Sequence, residues 1–155
     1  MRGIPSPDPS SVDAAVAWHY GDPFAEQRML AAGKGAVDLS HREVLEVRGP
    51  DRLTWLDSMT SQLLLGLQPG ESVYDLLLDP HGRVESELHL VDDGERLLIS
   101  VEPGNGAAVL AFLDRMRFML RVDVRDVTQT YAVVWEPQRV PHSTQATILT
   151  PAAFA

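Results

Sequence analysis

Two turn signals, Asp79-Pro80-His81-Gly82 and Asp92-Asp93-Gly94, stand between three β-rich runs, and they constrain this chain more than any other feature. Pro presets φ at the start of a turn, Asp bonds back to its local backbone, and Gly supplies the positive φ that closes a hairpin. The runs they join, Val73 to Leu78, Val84 to Val91 and Leu97 to Val101, therefore read as three consecutive antiparallel strands. In the middle run apolar Val84, Leu88 and Leu90 alternate with polar Glu85, Glu87 and His89. That alternation predicts one face turned to a core and one to water.

Flanking segments extend this centre. Val44 to Arg48 is a short β-rich run, after which Gly49-Pro50-Asp51 opens a helix with Pro in its first turn. Leu53, Leu56, Met59 and Leu63 carry the spacing of a buried helical face, and Gln68-Pro69-Gly70 ends the stretch. A second helix follows Pro103-Gly104-Asn105, lined by Val109, Phe112, Leu113, Met116 and Leu120. Arg121 to Val127 and Tyr131 to Trp135 are further strands. The predicted order is β-α-β-β-β-α-β, an α+β fold with an antiparallel-rich sheet covered on one face by two core helices.

The ends read differently. Residues 1–11 are rich in Pro and Ser and are expected to form a flexible tail. Val12 to about Ala32 predicts a helix interrupted at Pro23, and Gly33-Lys34-Gly35 breaks it. That break is no phosphate loop, because the motif needs Gly where Arg28 stands. Residues 12–136 form the expected domain; from Pro137 to residue 155 no period survives, which predicts an irregular C-terminal tail.

Composition narrows function. A length of 155 residues suits one domain. Asp and Glu outnumber Lys and Arg by 22 to 13, and the resulting −9 repels phosphate backbones and anionic lipid, so direct nucleic-acid and membrane partners are not expected. The absence of cysteine removes disulfides, thiolate zinc sites and a Cys nucleophile. No apolar run approaches a membrane span and no secretory h-region opens the chain, so the expected address is cytoplasmic.

Side chains at i, i+2 and i+4 of a strand share a face, which aligns Glu85, Glu87 and His89. Such a row can accept hydrogen bonds from a polar heterocycle or remain an ordinary solvated face. It lacks a fourth ligand at a recognisable spacing, and no metal site is expected. Tyr74, on the preceding strand, either stacks on a ring or fills the core. Ser40-His41 are adjacent and lack the G-x-S-x-G turn of a nucleophile, so no catalytic residue is assigned to them. Arg115, Arg117 and Arg121 suit the C-terminal end of the second helix.

Three segments together carry a resemblance. Ala36-Val37-Asp38-Leu39-Ser40-His41, continued by Val44 to Asp51, resembles the opening of the folate-binding domain of the glycine-cleavage T-protein. Tyr74 to Val84 resembles that family's hairpin, and Leu113 to Phe118 with Val122 to Thr128 resembles its second helix and following strand. The resemblance covers about residues 15 to 135, the N-terminal part of such proteins. It implies tetrahydrofolate as ligand, with Glu87 holding the pterin, Tyr74 packing on it, Ser100 adding a hydrogen bond and His89 on the same face. A carboxylate suits that role because the pterin edge offers adjacent N–H donors.

Two branches share this domain. Aminomethyltransferases carry paired aspartates where Ser86 and Glu87 stand here, and Ser100 takes the place of an asparagine that contacts the pterin. A displacement of about 1 Å at a reacting group costs on the order of 100-fold, so the resemblance implies a binding domain rather than a complete enzyme. The other branch, the YgfZ-type folate-binding protein, has lost the paired aspartates, supports iron–sulfur cluster assembly or repair and is often described as tRNA-modifying. Its signature K-G-C-Y-x-G-Q-E belongs to the later half of the full protein and is not found here. The expectation is therefore a tetrahydrofolate-binding portion of that branch, with the later family domains absent. Its expected partners are a missing C-terminal half or iron–sulfur assembly proteins. Aminomethyl transfer of glycine-cleavage type, or a truncated product needing a partner, is the alternative.

Overall fold

The computed structural model describes residues 2–137 and the strand at 146–149. In chain order the elements begin with β1 (Ile4–Pro5), β2 (Ala17–His19), α1 (Pro23–Ala31), β3 (Val37–Asp38), β4 (Glu43–Arg48) and α2 (Arg52–Asp57). They continue with β5 (Ser72–Leu78), β6 (Val84–Asp92), β7 (Arg96–Val101), α3 (Gly106–Arg115), β8 (Asp123–Asp126), β9 (Ala132–Trp135) and β10 (Ala146–Leu149).

Both predicted hairpins form. Asp79 Oδ1 accepts the backbone N–H groups of His81 and Arg83 at 2.8 Å each, and Asp92 Oδ1 accepts that of Gly94 at 2.8 Å. They join β5, β6 and β7 into a meander, and β4 completes an antiparallel five-stranded sheet in the order β5-β6-β7-β4-β8. From β4 to β8 the element order is the β-α-β-β-β-α-β expected of the sequence.

One face of this sheet carries Leu45, Val47, Leu77, Leu88, Leu90, Leu97, Ile99 and Val101, all buried. Trp55, Leu56 and Met59 from α2 and its end, with Val109 and Leu113 from α3, close over them. Fully burying one such aliphatic side chain is worth roughly 1.5–3 kcal/mol, so this layer is the main stabilising unit. On the opposite face Val44 and Leu98 pack with Tyr131 and Val133, beside Leu39 and Val127. There a second sheet, β10-β9-β3, covers part of the first.

Several expectations need correction. The helix foreseen from Val12 to Ala32 starts only at Pro23, because Asp22 caps it through Phe24 and Ala25 N–H at 3.0 Å each and Pro sits in the first turn. Ala17–His19 is instead a strand, paired with Ile4–Pro5 inside the segment expected as a loose tail. The helix after Gly49 stops at Asp57; Leu63 lies beyond it, 76% exposed, and Trp55 occupies the core. Leu120 also lies outside its helix and is exposed. Val84 is 56% exposed because a bulge at Leu77/Leu78 shifts the register, leaving Ser86 as the first inward residue of β6. Residues 137–155, expected to be irregular, contain β10, which pairs antiparallel with β9 from Ala146 opposite Trp135 to Leu149 opposite Ala132. The rest of that segment lies outside the described residues.

Candidate functional site

Strand register brings three of the four expected site residues into one row. Tyr74 on β5 stands opposite His89 on β6, and His89 opposite Ser100 on β7. Registered partners in an antiparallel pair share a face, and here it is the face away from the helices. Glu87, two residues before His89, points the same way and is exposed. Tyr74 is 46% exposed, which decides against its filling the core. Its ring meets the His89 ring edge-on at 5.2 Å and 61°.

Ser100 sits differently from its neighbours. It is fully buried, and its Oγ accepts a hydrogen bond from Arg42 Nε at 3.1 Å. Arg42 Nη2 lies 2.7 Å from Glu102 Oε1. Arg42 and Glu102 thus belong to this row although sequence reasoning passed them over. Glu102 carried a faint signal, standing two residues past Ser100; Arg42 carried none, since its approach depends on the pairing of β4 with β7.

Electrostatics follow from these neighbours. Loss of water, then the Arg42 charge, hold the His89 imidazole below its ordinary pKa of 6.5, while Glu87 and Glu102 oppose the shift. Desolvation, then the Glu87 carboxylate, push the Tyr74 phenol above its ordinary 10.0. The row therefore offers an aromatic ring, an uncharged imidazole at neutral pH and one exposed carboxylate.

Ser86, the companion of Glu87 in sequence, is buried on the helix-covered face and its hydroxyl reaches only the Glu87 carbonyl, at 3.4 Å. Successive strand residues point to opposite sides, so the two cannot act on one ligand atom. His41 Nε2 lies 2.8 Å from Asp13 Oδ1, which ties the imidazole to the N-terminal segment. Among the described residues no three His, Asp or Glu side chains converge on a metal position. A concavity of about 440 Å³ lies elsewhere, lined by Trp18, Tyr20, Met29 and Leu30, and includes none of the four expected residues. No helix among the described residues is long and apolar enough to cross a membrane.

The antiparallel sheet with two helices on one face is a fold found among solved structures. The crystal structure of glycine cleavage system aminomethyltransferase T from Bartonella henselae superposes with a TM-score of 0.58 at 23% identity, over 66% of this chain and 28% of that one. The family model for the GCVT N-terminal domain matches residues 16–135, and this chain belongs to that family. An aminomethyltransferase from Pseudomonas syringae pv. tomato is 29% identical over 89 residues, 56% of this chain and 25% of the relative. One from Cutibacterium acnes is 30% identical over 113 residues, 72% of this chain and 29% of the relative. The chain therefore spans less than a third of the length of these relatives.

Proposed function

We propose that the outer face of β5, β6 and β7 binds tetrahydrofolate through its pterin. The observation that carries this is the row itself: Tyr74, His89 and Ser100 in register, with the Glu87 carboxylate exposed beside them. Glu87 accepts the adjacent N–H donors of the pterin edge, and Tyr74 presents a ring to its flank. Ser100 contributes from beneath, through Arg42, rather than by direct contact. A ligand on an open face keeps much of its surface in water, so tight binding requires further walls around it.

The relatives' names favour aminomethyl transfer of glycine-cleavage type as the activity of the protein this domain serves. A second reading, a non-enzymatic folate-binding protein that supports iron–sulfur cluster maintenance, is favoured by one specific observation. Where the aminomethyltransferase pattern has paired aspartates, Ser86 is turned into the core and Glu87 stands alone with a longer side chain. The absence of cysteine and the acidic composition suit a cytoplasmic address under either reading.

Calorimetric titration of tetrahydrofolate into the chain, and into a longer polypeptide carrying it, tests the site. Glu87→Ala should weaken binding at least tenfold wherever wild type binds, as expected for a charge-assisted pair of bonds worth roughly 1.5–3 kcal/mol. Unchanged affinity in that variant refutes the assignment. Turnover of an aminomethyl donor by the longer polypeptide separates the two activities.

A further inference from the structure

Arg42 is bound on two sides, and the folate reading uses it only as the group through which Ser100 acts. Its side chain is 11% exposed, its Nε is committed to Ser100 Oγ at 3.1 Å, and its Nη2 lies 2.7 Å from Glu102 Oε1. Ser100 is registered against His89, so the clamp lies on the β7 side of the imidazole while Tyr74 lies on the β5 side. The guanidinium is held by Ser100 and paired with Glu102, and reorienting toward a ligand would give up both contacts. Glu87 forms no ion pair among the described residues.

We propose that Arg42, clamped by Ser100 and Glu102, is a specificity-determining positioning residue. Its fixed charge beside the row keeps His89 an uncharged hydrogen-bonding partner, so that Glu87 stays free to receive a heterocycle presenting N–H donors. This rests on the reading of the face as a ligand site and names what selects the ligand there. The physical reason is competition on one strand face. A protonated His89, two residues from Glu87, would draw the carboxylate toward itself and away from ligand donors. A cation fixed on the far side of the imidazole opposes that protonation, as does loss of water around the ring.

Among the described residues, the groups that bear on His89 are Tyr74 on β5, Glu87 on β6, Glu102 just past β7, and Arg42 ahead of β4. β10 also approaches β6, and its sequence from Ala146 to Leu149 contains no titratable residue. The selected ligand class is a neutral heteroaromatic ring with a donor edge.

Histidine NMR titration of the unliganded chain is the test, in wild type and in Arg42→Gln, Arg42→Lys and Glu102→Gln. Arg42→Gln should move the His89 titration upward, Arg42→Lys should leave it near wild type, and Glu102→Gln should move it downward. Opposite signs from variants at one clamp exclude a general loss of packing as the cause. No upward movement in Arg42→Gln, or equal movement in Arg42→Lys, overturns the proposal; if Arg42→Gln does not fold, the sign of the Glu102→Gln shift decides. In a second arm, the pH below which tetrahydrofolate affinity falls should rise in Arg42→Gln and not in Arg42→Lys. Absence of binding in every variant would refute the ligand reading of the face, while the NMR signs still judge Arg42 by itself.

Discussion

At the end of β4 the chain turns through Gly49, whose φ is +118°, with its Cα against the backbone of Arg121. A side chain there is strained twice. The left-handed backbone disfavours any Cβ, and that Cβ would overlap the Arg121 carbonyl oxygen, which is backbone and cannot swing aside. Gly49→Ala should therefore cost at least about 2 kcal/mol, read as a lowered denaturant midpoint with an unchanged slope. Gly82 also has positive φ, +78°, but its added Cβ would meet open space, so Gly82→Ala should cost about 1 kcal/mol. The difference between the two variants isolates the contact from the conformation.

Among the elements, α2 is short, and one ion pair ties it to the hairpin between β6 and β7. Arg52 Nε and Nη2 reach the two Asp92 oxygens at 2.7 and 2.9 Å, and Nη2 also donates to the Gly94 carbonyl at 2.9 Å. Both side chains are largely buried. Asp92→Ala strands the guanidinium and should destabilise by about 3–5 kcal/mol, whereas Arg52→Met with Asp92→Leu should recover much of that loss. A double-mutant cycle by chemical denaturation measures it. This tie also explains what could be read in advance. The meander was legible because Asp79, Pro80, Gly82, Asp93 and Gly94 are local turn chemistry, complete within a few residues. The start of α1 was not, because helix-compatible Ala14, Ala15 and Val16 lead without a visible break into a segment that pairs with Ile4–Pro5. On the candidate face, Tyr74 came in through the resemblance, while the alignment of Glu87 with His89 followed from alternation. The burial of Ser100 and the presence of Arg42 did not, since they rest on a contact between residues 58 positions apart in the chain.

For the whole molecule, His89 and Glu46 contribute to the response to acid in separate windows, the lower one shared with Asp51 and Asp93. His89 has its folded pKa below the ordinary 6.5, so the unfolded chain takes up more protons as pH falls beneath that value, and stability declines there. Glu46 is buried and bonded to Arg48 at 2.7 Å and Arg96 at 3.1 Å, and its folded pKa lies below the ordinary 4.5. Its contribution is present above 4.5 and is lost as pH falls further, through the folded value. Thermal melts across pH should therefore show a two-stage decline, with His89→Gln removing the upper stage and Glu46→Gln reducing the lower, which Asp51 and Asp93 also feed. Two undiminished stages persisting in either variant would reject the assignment of those stages.

β6 places Leu88 and Leu90 against the helices and Glu87 and His89 on the opposite side, within one continuous strand. Substitutions on the second set leave the hydrophobic layer untouched, and substitutions on the first leave the row's chemistry untouched. A lineage can therefore change this outer face one residue at a time without passing through an unfolded intermediate. The same independence makes the row a suitable surface on which to design a binding site.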